Sequence, residues 1–210
     1  MYFSKSKYTN FWQCPKITWL DKYKPEEKEI DEGALGRMKS GNEVGDLAMS
    51  LFGDFIEVTT YCDDGKLDLD EMKRKTSECI ARGEENICEA SFDYNGLYCA
   101  VDILHKENGG YAIYEVKSAT NLKYYYLVDV AYQKYVLEKC GVKVTGTYVV
   151  CINNEYVRHG EIDVKKLFKI NDVKDLVTDE YEVVERNLKN AEKVLNSEAE
   201  PDIDIGKQCS

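Results

Sequence analysis

The stretch Gly96 to Ala119, GLYCAVDILHKENGGYAIYEVKSA, decides the fold. It reads as two strands joined by a Gly-rich turn. The first strand carries one acidic residue, Asp102, inside an apolar run. The second carries Glu115 and Lys117, with Val116 between them. Side chains alternate faces along a strand, so Glu115 and Lys117 point the same way. A loop of Glu107 to Gly110 sets Lys106 against Tyr111. Pairing back along the ladder then puts Asp102 directly opposite Glu115. Carboxylates in that position repel. A positive group is expected between them, and a divalent cation with a nearby lysine satisfies the chemistry.

The preceding strand extends the pattern. Asn86 to Tyr94 is followed by Asn95-Gly96, the favoured pair for a tight hairpin turn. That turn pairs Tyr94 with Leu97 and therefore Glu89 with Asp102. Glu89, Asp102 and Glu115 then form a row across neighbouring strands, on one face, with Lys117 beside it. A slip of one residue in register removes the row.

Helices and further strands surround this meander. Residues 6–22 read as a helix anchored by Tyr8, Phe11, Trp12 and Trp19. Residues 41–52 place Val44, Leu47, Ala48, Leu51 and Phe52 on one helical stripe, closed by Gly53. A strand is expected from Phe55 to Tyr61 and a helix from Leu69 to Arg82. Beyond the meander come a helix after Asp129, a strand from Val144 to Ile152 and a short strand from Tyr156 to His159. A last helix runs from Lys174 to Asn196, with Val177, Tyr181, Val184, Leu188, Ala191 and Leu195 inward. The pattern predicts one α/β domain over residues 1–196, a central mixed sheet flanked by helices, and a polar tail over 197–210.

Taken in order, these motifs resemble a known family. Asp102 followed by Glu115-Val116-Lys117 resembles the PD-(D/E)xK nuclease signature in the spacing of RecB-type nucleases. The segment Asp129 to Gly141, DVAYQKYVLEKCG, resembles the helix that carries a glutamine after the active-site strands in that group, and Gln133 matches it. The aromatic residue expected four positions on is absent, because position 137 is Leu137. Ser4 to Leu20, SKSKYTNFWQCPKITWL, resembles the N-terminal helix of RecB-like and CRISPR-associated nucleases, including its Cys-Pro pair, Cys14-Pro15.

The resemblance implies a restriction-endonuclease-like core and a metal-dependent DNA nuclease, an exonuclease acting on single strands. Asp102 and Glu115 would hold Mg²⁺ or Mn²⁺, with the backbone carbonyl of Val116 completing the shell. Lys117 would position the attacking water or stabilise charge on the phosphate. Gln133 would reach the active site or the DNA, or stand as a boundary polar residue. Glu43 matches an acidic position on an early helix that joins the metal shell. It also fits a capping box, Ser40 to Glu43. Glu89 is either a fourth acidic group or a partner for Lys117. The rival readings are a nuclease-like fold kept as a DNA- or partner-binding module, and an unrelated α/β protein whose acidic strands contact a small ligand.

Several relatives of this family hold an iron–sulfur cluster through one N-terminal and several C-terminal cysteines. Cys14 and Cys209 are the candidates here. Two thiolates cannot complete a four-cysteine cluster, so one is expected only in a longer chain, and the other reading is two ordinary thiols. The ending, DIGKQCS, reads as a fragment with a further C-terminal region or a helicase-like partner. The other cysteines show no C-x-x-C spacing and read as small core residues.

Composition sets the remaining bounds. A length of 210 residues suits one domain with a sizeable core. A net charge of −11 argues against a general nucleic-acid binder, though metal-holding carboxylates contribute to it. Lys5, Lys7, Lys16, Lys117, Lys123 and Lys134 are candidates for a locally basic groove. Tyr124-Tyr125-Tyr126 could stack on bases, with packing as the alternative. The sequence contains no membrane-length apolar segment and no signal-peptide core, so a cytoplasmic setting is expected. With His105 and His159 as its histidines, the chain offers little support for His-based nucleophilic catalysis.

Overall fold

The computed structural model describes residues 2–29 and 32–203. Its strands are β1 (Phe3–Ser4), β2 (Ile56–Glu57), β3 (Asn86–Tyr94), β4 (Leu97–Glu107), β5 (Gly110–Lys117), β6 (Val144–Ile152) and β7 (Phe168–Asp172). They form one mixed sheet in the order β2-β3-β4-β5-β6-β7, with β1 paired to β4. The helices are α1 (Lys5–Gln13), α2 (Pro15–Tyr23), α3 (Glu32–Ala48), α4 (Leu69–Arg82), α5 (Tyr124–Lys139), α6 (Val164–Leu167) and α7 (Lys174–Asn196). The domain is α/β, a mixed sheet between helices.

The meander follows its turn chemistry. Tyr94 pairs with Leu97, and Asn95 and Gly96 both take positive φ, 54° and 85°. A tight hairpin turn of this kind requires that conformation. The second turn is tighter than its sequence suggests. Glu107 pairs with Gly110, so Asn108 and Gly109 alone make the turn. Register is unchanged, because Lys106 still faces Tyr111. After β5, the chain crosses through α5 and returns as β6, parallel to β5.

Both faces of the sheet are covered. On one, Val101, Leu104 and Ile113 pack with Val128, Tyr132 and Val136 of α5, Met72 and Cys79 of α4, and Val177, Val184 and Leu188 of α7. On the other, Ile103, Ala112, Tyr114 and Val150 pack with Ala48, Met49 and Leu51, where α3 passes into a 3-10 turn. Sheets covered on both sides read as apolar runs rather than alternating ones, as AVDIL and VVCI do.

Several elements differ from the sequence reading. The helix expected over 6–22 is broken at Cys14, which is extended before Pro15 (φ −159°, ψ 112°). Proline lacks an N–H and disfavours a helical residue before it, so α1 ends and α2 starts afresh. The helix expected at 41 starts at Glu32, which leaves Ser40 and Glu43 inside it and rules out their capping box. The strand expected over Phe55–Tyr61 shortens to β2, because the chain leaves β3 and closes a loop at the Tyr61–Leu67 bridge. Residues 156–159 form no strand. β7 takes the edge instead, antiparallel to β6.

The beginning of the tail is held. The Trp19 indole N–H donates to the Ser197 carbonyl at 3.0 Å, and Lys16 pairs with Glu200 at 2.8 Å. Cys79, Cys88, Cys99 and Cys151 are buried as expected, whereas Cys62 and Cys140 are exposed. Among the described residues, no helix is long and apolar enough to cross a membrane.

Candidate active site

At Glu89 and Asp102 the sheet departs from regular geometry. The pairs on either side, Cys88 with Ile103 and Ala90 with Val101, share one register, but the Glu89–Asp102 pair between them is absent. Glu89 takes φ 57°, uncommon for a residue with a side chain. Alternation breaks on both strands here. Ala90 and Val101 pack on the α5 face, while Cys88 and Ile103 pack on the opposite one. The kink costs about 1–3 kcal/mol by the general rule for such conformations, and strain of this kind gathers at functional sites.

The kink also redirects Asp102. The β4–β5 ladder ends at Ile103–Tyr114. Continued, its register would offer the Val101 carbonyl to the Val116 N–H. Instead the Val116 N–H donates to Asp102 Oδ2 at 2.6 Å. Asp102 therefore lies against the backbone of β5 rather than standing in a row beside Glu115. In an antiparallel ladder the N–H and C=O of a residue turn toward the same partner strand, which directs the Val116 carbonyl toward Asp102 as well.

Glu115 and Lys117 do share a face, and it is the α5 face. Glu115 is buried, 2% exposed. Lys117 donates to Glu115 Oε1 and to Asp129 Oδ2, each at 2.6 Å. Gln133 is fully buried one helical turn beyond Asp129. Its amide donates to Glu115 Oε2 at 2.7 Å and to Asp129 Oδ1 at 3.1 Å. Gln133 thus reaches the site from behind and cannot touch DNA from there.

Two residues join the site that the sequence pattern does not place there: Asp129, and Lys5, expected only as a groove lysine. Lys5 Nζ lies 3.1 Å from both oxygens of Glu115 and 3.9 Å from Asp102 Oδ1 and Asp129 Oδ1. It also donates to the Ala100 carbonyl at 3.3 Å. Its place is set by β1, where Phe3 and Ser4 pair with Leu97 and Tyr98. The Tyr132 hydroxyl donates to the Phe3 carbonyl at 2.6 Å, and Tyr132 stacks on Tyr8 at 4.8 Å. The Ser4 side chain caps α1 by accepting from the Lys7 N–H.

The charges are strongly coupled. Burial, and then the Glu115 charge, push Asp102 up to about 8. Burial alone would raise Glu115 too, but Lys117 and Lys5 outweigh it and hold Glu115 well below the usual range. Burial opposes the charge on Lys5, yet Asp129, Glu115 and Asp102 raise it well above the usual lysine value. Lys117 is raised by Glu115 and Asp129 against the same opposition. Asp129 is raised by burial and by Glu115.

Glu89, Asp102, Glu115, Val116 and Lys117 all line one cavity of about 650 Å³, walled also by α3, the 57–67 segment and Met72 of α4. The expected acidic residues therefore do converge, in different orientations. Glu89 pairs with neither Lys117 nor Lys5, and burial raises it. Glu43 is exposed and does not line the cavity. Residues 41, 45 and 49, with 42 and 46, form the rows that face it, and Glu43 is turned roughly 100° from Asn42. Asp46 is the α3 carboxylate that lines the cavity, and Glu57 adds another.

Cys14 is buried at the α1–α2 junction, and Cys209 lies outside the described residues. Tyr124 and Tyr125 are exposed, while Tyr126 is buried with Lys117 Nζ 5.3 Å from its ring centre. Neither a search of protein-family models nor a search of curated proteins returns a match to this chain.

Proposed function

We propose that this protein is a metal-dependent deoxyribonuclease of the PD-(D/E)xK type, of the RecB-like group, hydrolysing phosphodiester bonds as an exonuclease on single strands. One observation carries the reading. Asp102, Glu115 and Lys117 meet on the wall of a single cavity, with Lys117 fixed between Glu115 and Asp129. Burying that many ionised groups is costly without a task or a partner for each.

The donors fit a hard divalent cation. They are all oxygens, and the Lys5 ammonium already marks where the carboxylates require positive charge. Asp102, Glu115 and the Val116 carbonyl would hold it. When bound, Mg²⁺ or Mn²⁺ polarises the scissile phosphate and acidifies an attacking water. Lys117 keeps its charge and offers its remaining N–H to a phosphate oxygen or to that water. Gln133 and Asp129 keep Glu115 and Lys117 from rotating out of place. A cytoplasmic setting and a helicase-like partner belong to the same proposal. An iron–sulfur cluster involving Cys14 belongs to it only for a longer chain.

The test is cleavage of end-labelled single- and double-stranded DNA with Mn²⁺ or Mg²⁺. Cleavage that stops with chelator and in Asp102→Asn is expected. Absence of cleavage, or equal cleavage by the variant, overturns the reading. The second reading, a nuclease fold kept for binding, is favoured by one feature: Lys5 itself supplies the positive charge that Glu115 requires. Retained DNA binding without cleavage would select it.

A further inference from the structure

A carboxylate offers about four lone-pair positions, two on each oxygen. In Glu115 all four are taken. Oε1 accepts from Lys5 at 3.1 Å and from Lys117 at 2.6 Å. Oε2 accepts from Lys5 at 3.1 Å and from Gln133 at 2.7 Å. A divalent cation needs carboxylate oxygen at about 2.0–2.6 Å, so it binds Glu115 only by displacing a donor.

The donors are not equally placed to leave. Lys117 and Gln133 each hold Asp129 as well as Glu115, and their bonds to Glu115 are the shorter ones. Lys5 makes the longer pair of bonds, and it alone of the three also faces Asp102. It occupies the gap between the two proposed cation ligands. A dication in that gap repels an ammonium a few ångströms away, and Asp129, whose Oδ1 is 3.9 Å from Lys5, is the nearest refuge.

We propose that Lys5 is a built-in counter-cation: it holds the Asp102–Glu115 site together in the metal-free protein and gives up Glu115 to an incoming divalent cation. The exchange moves no proton. Lys5 stays an ammonium and shifts toward Asp129, and the cation takes the vacated oxygens. Lysine and cation then compete for one carboxylate, so each weakens the other by the same factor. The inference rests on Asp102 and Glu115 being cation ligands, and it is tested without DNA.

The measurement is Mn²⁺ affinity of the full chain near neutral pH, by electron paramagnetic resonance of free Mn²⁺. Wild type, Lys5→Met and Lys5→Arg are compared. Lys5→Met is expected to bind Mn²⁺ about tenfold more tightly, to melt lower than wild type without metal, and to recover more on adding it. Lys5→Arg keeps the charge and should stay within about threefold of wild type. If Lys5→Met fails to fold, amine labelling of the wild-type chain read by mass spectrometry keeps the test alive, with labelling at Lys5 expected to rise when Mg²⁺ is added. Equal or weaker Mn²⁺ binding by Lys5→Met overturns the proposal, as does absence of Mn²⁺ binding in every form or unchanged Lys5 labelling. Tighter binding in Lys5→Met without DNA cleavage by wild type would sink the nuclease reading and leave this one standing.

Discussion

Lys5 and Glu115 stand 110 positions apart in the chain, and the Lys5 ammonium lies 3.1 Å from both oxygens of the Glu115 carboxylate. The contact separates two acids that sequence alone treats as equals. Glu115 is fully compensated by Lys5, Lys117 and Gln133. Asp102 is not: it takes a backbone N–H from Val116 and only a distant share of Lys5.

The first prediction follows from that difference. Opposed carboxylates suggest that neutralising either one stabilises the metal-free protein. The structure restricts that expectation to Asp102. Asp102→Asn keeps an oxygen for the Val116 N–H and removes repulsion, so it is expected to raise metal-free stability near pH 8 by roughly 1–3 kcal/mol. Glu115→Gln leaves two half-buried ammonium groups short of a carboxylate and should cost roughly 2–4 kcal/mol. Both variants should lose Mn²⁺-dependent cleavage. Urea unfolding in chelator measures the first contrast, and two variants shifting the same way would contradict it.

The pH dependence has a definite sign. The folded-state value of Asp102, about 8, lies above its ordinary 3.8. Between those values the folded chain keeps a proton that the unfolded chain has lost, so stability falls as pH rises through the window. Glu115 acts oppositely: its folded-state value is lowered, so its contribution is present above the ordinary carboxylate range and is lost only in strong acid. From about pH 5 to 8 Asp102, with the likewise raised Glu89 and Asp129, is therefore expected to make stability fall in metal-free protein. Asp102→Asn should flatten the slope, and an equally steep slope in that variant would remove Asp102 as its source.

Lys117 is expected to serve the reaction more than the cation. Lys117→Ala removes the donor shared by Glu115 and Asp129. Turnover should fall about 10²–10³-fold, the usual cost of losing a preorganised donor. Mn²⁺ affinity should hold or improve, because a positive neighbour of Glu115 is gone. A loss of Mn²⁺ binding as large as that of Asp102→Asn would mark Lys117 as part of a purely structural ion pair.

Local signals account for what the sequence discloses. Asn95-Gly96 fixes the first hairpin register, because few residues tolerate positive φ; at the second, the expected four-residue loop and the observed Asn108-Gly109 turn give the same register. Apolar positions alternating by four and three mark α7 along its length. The Glu115–Lys117 face follows from strand alternation alone. The hidden parts depend on distant contacts. Lys5 enters the site through a two-residue strand pairing of Phe3–Ser4 with Leu97–Tyr98, too short to leave a pattern. Asp102 turns because Glu89 adopts φ 57°, which no turn motif announces. Asp129 was discoverable, since it stands four positions before Gln133 on the same helical flank.

The last prediction tests the scaffold under the site. Gly110 opens β5 where it meets β6. A Cβ there would lie 2.4 Å from the Lys143 carbonyl oxygen and 2.7 Å from Thr145 Cγ2. That carbonyl cannot withdraw freely, because it accepts the Tyr111 N–H at 2.9 Å. Gly110→Ala must therefore push β6 away, at about 1–3 kcal/mol by the usual cost of overpacking. Melting should fall by about 2–4 °C for each kcal/mol in a chain of this size. Gly109→Ala is the control. It has room, with its nearest neighbour, Lys143 Nζ, at 3.9 Å, but takes φ 71°, so it should lose only the roughly 1–2 kcal/mol of a left-handed residue. Both changes sit at the opposite end of β5 from Glu115, so Mn²⁺ affinity should be untouched in any molecule that folds. A Gly110→Ala protein as stable as wild type would mean that β5 and β6 are not packed this closely.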